Sequence, residues 1–302
     1  MKTYILDPIA PEALAYARRY LDVVTWDDDA CRHPADAEAL MVRTHPVTRE
    51  MIDAMPRLRV IARHGTGLDA IDTAYAKEKH ILVQNTPLAN VESVVEQVIG
   101  LILDCAHKIT ASHLAGIHGL KQKMPEFLCG CEITGKKLGL IGVGHIGSRV
   151  GRRLQAGFNM DVTAWSPHLT DDACRELGFH RAAGPEEIYQ TCDVISVSVP
   201  LTEATRHMIG AKELRLFKPG SILINTSRGG IVDEDALCQA LQENELFGAG
   251  FDTFLQEPLP ADHVLFTCFN FVATPHNAAN TKEAMIRMGT QAVDIIRNVE
   301  KE

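Results

Sequence analysis

Short apolar runs alternate with helix-like segments through the first 86 residues. The connections between them are short, and such alternation predicts a parallel β-sheet covered by helices on both faces. Asn85-Thr-Pro87 marks the end of this first unit, because proline disfavours helical backbone at the residue before it. The predicted strands are 3–6, 23–25, 40–43, 60–63 and 81–84, and the predicted helices are 11–20, 35–39, 49–55 and 71–79.

A second α/β unit is predicted further along the chain. It follows a long helix expected over 92–106, where apolar residues recur at three- and four-residue steps. The last segment, 281–299, is predicted to be an amphipathic helix that packs back on the first unit, since its apolar face would otherwise be exposed. The predicted strands of the second unit are 138–141, 161–165, 194–199, 221–225, 249–252 and 271–273, with helices at 146–156 and 233–242.

A glycine pattern opens the second unit. Gly142-Val-Gly-His-Ile-Gly147 follows a predicted strand and begins a predicted helix, which is the context of a dinucleotide-binding fingerprint. Gly142 permits a tight turn, Gly144 lets the backbone approach a pyrophosphate, and Gly147 allows the helix to pack closely on the strand. The helix amino terminus would offer unpaired N–H groups to the phosphates. The competing interpretation is a glycine-rich turn that binds nothing.

The residues after the second strand of this unit bear on which nicotinamide cofactor binds. Folds that prefer NAD usually carry an acidic residue about 20 positions further on, which holds the ribose 2′-hydroxyl. Ser166 occupies that position here, and no carboxylate appears before Asp171. A serine hydroxyl helped by His168 could accept a 2′-phosphate, so the sequence leans to NADP(H) over NAD(H). Alternatively, His168 is a solvated loop residue and NAD(H) binds without the acidic contact.

Three charged or titratable side chains follow separate predicted strands. Arg228 precedes a Gly-Gly turn, Glu257 precedes a proline and His276 follows one. Doubly wound sheets bind ligands at the carboxyl ends of their strands, where a guanidinium can grip a substrate carboxylate and polarise the adjacent keto oxygen. An imidazolium held by a carboxylate can donate a proton to that oxygen while a hydride reaches the carbon. Incidental capping or surface roles are the alternative for each residue taken singly.

Composition narrows the classes of function. The formal charge of −9 argues against nucleic acid as a partner, because phosphate binding needs clustered Lys and Arg. The first residues are not typical of a signal peptide, and the longest apolar-rich stretch, 91–106, contains acidic residues that argue against a membrane span. Eight scattered cysteines without a Cys-x-x-Cys motif favour reduced thiols in a cytoplasmic protein, and Cys129-Gly-Cys131 offers too few ligands for a structural zinc site.

These motifs resemble, in their order, the D-isomer-specific 2-hydroxyacid dehydrogenase family, and within it the phosphoglycerate dehydrogenase-like members without a regulatory domain. The resemblance implies an α/β fold of two doubly wound parallel-sheet domains. A Rossmann-type cofactor domain, 87–277, would be inserted in a flavodoxin-like substrate domain, 1–86 plus 278–302. The resemblance also implies a homodimer whose active site lies in the cleft between two hinged domains. The matching segments are Arg63–Asp72, Asn85–Pro87, the fingerprint, Val199–Thr202, Asn225–Asp233, Gly248–Asp252 and Pro275-His276.

The resemblance further implies roles for individual residues. Arg228 would bind and polarise the substrate, His276 would be the acid/base and Glu257 its partner. The sequence departs from the family pattern at His145, Ser166 and Ser198. All three positions are expected to affect cofactor binding. The expected cofactor-binding residues are Gly142, Gly144, His145, Ile146, Gly147, Ser166, His168, Pro200, Thr205, Thr226 and Asp252, the last at the nicotinamide carboxamide. The expected substrate-binding residues are Arg43, Gly65, Thr66, Gly67 and Asn90, with backbone amides of the 65–67 loop on the substrate carboxylate.

The implied reaction is hydride transfer between NAD(P)(H) and a D-2-hydroxy acid or 2-keto acid. Arg43 could meet a distal phosphate, which would fit 3-phosphoglycerate, although an exposed arginine without a ligand is an equal alternative. Glyoxylate or hydroxypyruvate reduction is the main rival among enzymes, and formate oxidation is disfavoured because that branch typically has Gln where Glu257 stands. From another class, a nucleotide-sensing corepressor could keep the same three residues.

Overall fold

The computed structural model describes residues 1–301, which form two compact units. One comprises Met1–Ser93 together with the segment from Ala279 onward, and the other comprises Val94–Ala278. The second unit is therefore inserted in the sequence of the first. The junctions expected at 86/87 and 277/278 lie at 93/94 and 278/279.

Five parallel strands form the sheet of the first unit. Their order, β2-β1-β3-β4-β5, is the flavodoxin-like order. On one face, Ala13 of the first helix packs so closely on the C-terminal helix that a Cβ added at Gly289 would lie 2.4 Å from the Ala13 Cβ. The elements are β1 (Lys2–Ile5), α1 (Pro11–Tyr20), β2 (Asp22–Thr25), β3 (Ala39–Val42), α2 (Arg49–Asp53), β4 (Val60–Arg63), α3 (Thr73–Glu78) and β5 (Leu82–Asn85).

The helix predicted over 35–39 is wrong. A 3₁₀ turn lies earlier, at Asp29–Arg32, residues 35 and 36 form a turn, and the chain enters β3 at Ala39. The Glu38 N–H donates to the Lys2 carbonyl, which continues the pairing of strands instead of a helix. Short alanine-rich segments give little periodicity, so a tertiary contact of this kind decides their conformation.

Seven parallel strands form the sheet of the second unit. Their order, β12-β11-β10-β9-β6-β7-β8, places the first strand of the unit at the point where the strand order reverses, as in Rossmann folds. The strands are β6 (Lys137–Ile141), β7 (Asp161–Trp165), β8 (His180–Arg181), β9 (Val194–Val197), β10 (Ser221–Asn225), β11 (Leu246–Phe251) and β12 (Phe271–Ala273). The helices are α4 (Val91–His107), α5 (Ile109–Ile117), α6 (His145–Phe158), α7 (Asp171–Leu177), α8 (Pro185–Thr191), α9 (Ala211–Leu214) and α10 (Glu234–Gln242). The C-terminal helix, α11 (Lys282–Lys301), belongs to the first unit.

The expected architecture of two doubly wound parallel sheets is confirmed. The long helix predicted over 92–106 is α4, and within residues 1–301 no helix is long and apolar enough to cross a membrane. Helix α5 was not predicted, because none of its residues is buried and its apolar residues do not mark one face. Helices α7, α8 and α9 are only four to seven residues long, too short to produce a clear pattern.

Candidate active site

Three neighbouring strands of the second unit end at the same level and carry the proposed catalytic side chains on the loops that follow. The last residues of β10, β11 and β12 are register partners: Asn225 with Phe251, and Phe251 with Ala273. The loop after β10 holds Arg228, the loop after β11 holds Glu257, and the loop after β12 holds His276. Because parallel strands share one carboxyl edge, the sheet brings these loops together.

A short contact links two of these side chains. His276 Nδ1 lies 2.6 Å from Glu257 Oε2, and the two side chains are 47% and 35% exposed. The other carboxylate oxygen, Oε1, accepts the N–H of Phe254 at 3.0 Å, which fixes the carboxylate in its loop. The ring nitrogen Nε2 is therefore the one that can face a substrate.

The pKa values of the pair move in opposite directions. The hydrogen bond from Glu257 raises the pKa of His276 above its ordinary value, and this effect exceeds the lowering by burial. Burial would raise the pKa of Glu257, but the hydrogen bonds from His276 and Phe254 outweigh it, so the net pKa of the carboxyl is lowered. The positive charge of Arg228 lowers the pKa of both groups, so it acts within the same electrostatic environment. The geometry favours an imidazolium beside a carboxylate.

Asp252 holds the turn that presents His276. The backbone of His276 has φ +50°, in the left-handed region that non-glycine residues seldom adopt. The fully buried Asp252 accepts hydrogen bonds on both sides of this residue, from the Thr274 hydroxyl at 2.5 Å and from the N–H groups of Asn277 and Ala278 at 3.0 Å. Burial raises the pKa of Asp252 in spite of these donors. Both carboxylate oxygens are thus engaged by the protein, a positioning role that the sequence did not reveal.

The loop after β10 is fixed by its own hydrogen bonds and by close packing. Asn225 Nδ2 donates to the Arg228 carbonyl at 3.0 Å, and the Arg228 guanidinium donates to the Ser227 carbonyl at 2.6 Å. A Cβ added at Gly229 would lie 2.0 Å from the carbonyl atoms of Phe254, so only glycine allows this approach. The Arg228 loop and the loop that carries Glu257 are therefore in backbone contact.

The fingerprint glycines have the geometry that a dinucleotide site requires. Gly142 follows β6 with φ +96°, and a Cβ there would lie 2.2 Å from the Ser198 carbonyl oxygen. A Cβ at Gly147 would lie 2.2 Å from the Gly142 carbonyl oxygen, so this glycine serves the packing of α6 on the turn. Gly144, the N-cap of α6, has no heavy atom within 4 Å of the Cβ position, and no side chain caps this 14-residue helix. That open helix amino terminus fits a phosphate group.

The other expected cofactor residues lie around the same edge. Ser166 follows β7 and is half-buried, and its carbonyl accepts the Leu169 N–H in a turn that leaves His168 exposed. The Thr205 hydroxyl donates to the Pro200 carbonyl at 2.6 Å, so this threonine organises its own loop. His145 and Ile146 form the first turn of α6, and Thr226 follows β10.

The expected substrate residues lie in the first unit. The Gly65 N–H donates to the Thr86 hydroxyl at 3.0 Å, and a role of Gly65 in substrate binding stays a prediction. Thr66 donates its hydroxyl to Asn90 Oδ1 at 3.2 Å. The amides of Thr66 and Gly67 stay candidates for a carboxylate.

A buried carboxylate that sequence reasoning missed positions Arg43. Asp7, two residues after the end of β1, accepts the N–H of Arg43 at 2.6 Å, the hydroxyl of Thr44 at 2.6 Å and the N–H of His45 at 3.2 Å. Burial would raise the pKa of Asp7, but these donors more than offset it and the net pKa is lowered. The guanidinium of Arg43 donates to Asn280 Oδ1 at 3.3 Å. A polar residue directly after a buried strand was the signal available in the sequence.

The thiols show no arrangement for metal binding. All eight cysteines are free, including Cys238 and Cys268, whose buried Sγ atoms are 3.6 Å apart. Across the part of the chain that the structure describes, no group of three or more His, Cys, Asp or Glu side chains is placed to hold a metal ion.

Known proteins are similar to this chain in sequence and in fold. A family model described as D-isomer specific 2-hydroxyacid dehydrogenase, NAD binding domain, matches residues 99–278. A hydroxypyruvate reductase from Thermotoga maritima is 38% identical, with 98% of this chain and 97% of the relative covered. A D-3-phosphoglycerate dehydrogenase from Methanocaldococcus jannaschii is 36% identical over 99% of this chain, which spans only 57% of that relative. The crystal structure of an NADPH-dependent glyoxylate/hydroxypyruvate reductase from Sinorhizobium meliloti, in complex with NADP and malonate, superposes with a TM-score of 0.84 at 28% identity, covering 98% of this chain and 92% of that one.

The chain therefore belongs to the D-isomer-specific 2-hydroxyacid dehydrogenase family. Family membership and the open amino terminus of α6 agree on a nicotinamide dinucleotide as the cofactor.

Proposed function

We propose that this chain reduces 2-keto acids to D-2-hydroxy acids and catalyses the reverse oxidation of the hydroxy acids, with His276 as the acid/base. The observation that carries the proposal is the 2.6 Å contact between His276 Nδ1 and Glu257 Oε2 on a half-exposed imidazole. When bound, the nicotinamide supplies or accepts the hydride. The acidic partner keeps the imidazole protonated, and Nε2 is left to donate to an oxygen.

Arg228 is proposed to bind the substrate. Its guanidinium is half-buried at the same edge of the sheet, and its carbonyl and side chain are both fixed within the loop. A fixed guanidinium can take a carboxylate through two N–H groups and draw electron density from the adjacent keto oxygen. The keto oxygen then accepts the proton from His276 Nε2, which leaves the imidazole neutral and the new hydroxyl group uncharged, while Glu257 stays ionised.

The proton requirement sets the direction of the pH dependence. Reduction needs the imidazolium, so its rate should fall as pH rises through the pKa of His276. Oxidation needs the neutral ring, so its rate should rise over the same interval. Because the contact with Glu257 raises the pKa of His276, reduction should persist to a higher pH than a free imidazole would allow.

We expect His276→Ala to lower kcat for 2-keto acid reduction by roughly 10²–10⁴-fold, the usual contribution of a general acid.

Glu257→Gln should move the alkaline fall of kcat/KM to lower pH, because it removes the charge that favours the imidazolium. Steady-state rates over a panel of 2-keto acids, with both cofactors and across pH, provide the measurement. A wild-type protein that turns over none of these acids would contradict the proposed function.

We propose further that NADP(H) is the preferred cofactor. The first carboxylate after β7 is Asp171, and it pairs with Arg181 at 3.2 Å, so it is occupied at the start of α7. Ser166 is neutral, and its hydroxyl can donate a hydrogen bond to a 2′-phosphate. The NADPH dependence of the Sinorhizobium meliloti reductase supports the same choice.

Ser166→Asp should reverse this preference, because a carboxylate repels a 2′-phosphate and binds a ribose hydroxyl pair. The ratio of kcat/KM with NADPH to that with NADH measures the effect, and Ser166→Ala is the control that removes the hydroxyl without adding charge. Equal ratios in wild type and Ser166→Asp would show that this residue does not choose the cofactor.

A contact with an anionic substrate tail is proposed for Arg43. Asp7 fixes its backbone, and the group that its guanidinium contacts is the neutral amide of Asn280, so its charge stays available to an anion. The similarity to a phosphoglycerate dehydrogenase supports a phosphorylated acid as one such substrate.

Arg43→Ala should reduce kcat/KM for 3-phosphohydroxypyruvate by roughly tenfold or more, the size of one lost charged hydrogen bond. It should leave hydroxypyruvate, which lacks the phosphate, nearly unchanged. Arg32→Ala, which removes another exposed arginine of the same unit, is the control. Equal losses of kcat/KM with both acids would contradict the proposed contact between Arg43 and the substrate phosphate.

The proposed assembly is a homodimer formed through α5 and the segment that follows it. We propose that a second copy of the chain covers this surface, because exposed apolar side chains are concentrated in this one stretch of the chain. Such concentrations mark sites of protein–protein contact. Helix α5 has no charged side chain in its first or last turn apart from histidine, and no buried residue. The exposed apolar residues are Ile109 at 56%, Leu114 at 47%, Ile117 at 65%, Leu120 at 38%, Met124 at 88% and Phe127 at 51%.

Ile117→Lys should convert the dimer to a monomer, because a charge cannot be buried there without a partner. Light scattering should report twice the chain mass for wild type and for the control Leu82→Lys, whose leucine is exposed elsewhere at 45%. A wild type with the mass of one chain, or an Ile117→Lys variant that stays dimeric, would contradict this assignment.

A further inference from the structure

The loop that carries Glu257 is closed at both ends by one buried carboxylate. Glu234, the first residue of α10, is 7% exposed. Its Oε1 accepts the Leu255 N–H at 2.8 Å, and its Oε2 lies 3.4 Å from His263 Nε2. Leu255 and His263 flank Glu257 in sequence, so Glu234 ties together the start and the end of the loop between them.

The imidazole of His263 lies beside this carboxylate. Its Nδ1 accepts the Leu265 N–H at 3.4 Å, so Nδ1 is the ring nitrogen without a proton in the neutral form. Nε2 then carries the hydrogen, and it lies 3.4 Å from Glu234 Oε2. One carboxylate oxygen thus accepts the Leu255 N–H, and the other faces the N–H side of the His263 ring.

We propose that Glu234 is a positioning residue for the acid/base pair and that His263 is its partner. Three contacts connect Glu234 to His276. Glu234 accepts the Leu255 N–H, Glu257 accepts the N–H of the adjacent Phe254, and Glu257 contacts His276 through its other carboxylate oxygen. This inference rests on the proposed function, since it assigns Glu234 a role in the same reaction.

The chemistry of the contact requires a carboxylate. Glutamine has the same shape but only one acceptor oxygen, so it can satisfy either the Leu255 N–H or the His263 Nε2–H and presents its NH₂ to the other donor. Glu234→Gln should therefore release one end of the loop while it keeps the volume of the side chain. Its neighbour Asp235 is exposed in the same first turn, and Asp235→Asn removes the same charge without either contact.

A role limited to stability of α10 makes a different prediction. Asp233 already caps this helix by accepting the Ala236 N–H at 3.0 Å, and acidic residues in the first turn add only the usual helix-dipole effect. If Glu234 served the helix alone, its loss would lower the melting temperature and leave the titration of His276 unchanged.

The decisive experiment is an NMR titration of His276 in protein labelled at histidine, with the signal assigned by its loss in His276→Asn. The ring faces Glu257, Asp252 and Arg228, so these charges are kept constant except where Glu257 is replaced. We expect Glu234→Gln to lower the pKa of His276 in the same direction as Glu257→Gln, and Asp235→Asn to leave it unchanged. In the Glu257→Gln background, Glu234→Gln should add nothing, because its effect passes through Glu257.

Other outcomes overturn the inference. A shift of the same size in both backgrounds would mean that the charge of Glu234 acts directly, and no shift would mean that the loop does not depend on it. Should Glu234→Gln fail to fold, His263→Gln releases the other end of the loop and should shift the pKa of His276 in the same direction. In the catalytic assay, Glu234→Gln should lower kcat roughly tenfold. If the wild type shows no turnover, the proposed function fails, but the NMR comparison still decides whether Glu234 positions the pair.

Discussion

The hydrogen bond between His276 Nδ1 and Glu257 Oε2 is the interaction on which the rest of the site depends. It joins side chains from two loops that follow different strands. It favours the protonated ring, and it leaves Nε2 as the nitrogen available to a substrate. Without the carboxylate, burial would lower the pKa of the imidazole and disfavour the imidazolium that donates the proton. The remaining features of this edge hold the two loops at the separation that this hydrogen bond requires.

Backbone contacts supply that rigidity. The Arg228 loop approaches the Glu257 loop so closely that Gly229 leaves no room for a side chain against Phe254. Asp252 fixes the unusual backbone of His276 through donors on both sides of it. A left-handed non-glycine residue and a fully buried carboxylate each cost stability, and such costs are found where function requires a defined geometry. Because each loop starts from its own strand and the strands are in register, a shift of one strand would move its loop relative to the other two.

The sequence predicted the parts of this arrangement that follow from a single segment. The order of the longer strands and helices, the fingerprint at Gly142 and the placement of the three catalytic candidates after separate strands could be predicted from local patterns. The contacts that bind the loops to one another could not, because Asp252 and Glu234 act on residues more than 20 positions away. Helix α5 was missed for the opposite reason: its apolar side chains lie on the surface, so no buried face produced a period. The helix predicted at 35–39 failed because Glu38 pairs with Lys2, a contact between distant segments.

The most direct test of the account follows a label from the cofactor to the substrate. The protein would be incubated with a 2-keto acid and a reduced nicotinamide cofactor that carries deuterium on the transferred side, and the product would be analysed by mass spectrometry and chiral chromatography. The account predicts one deuterium at carbon 2 of a D-2-hydroxy acid, with formation suppressed in His276→Ala. Unlabelled product, product of the L configuration, or equal yield from His276→Ala would contradict it.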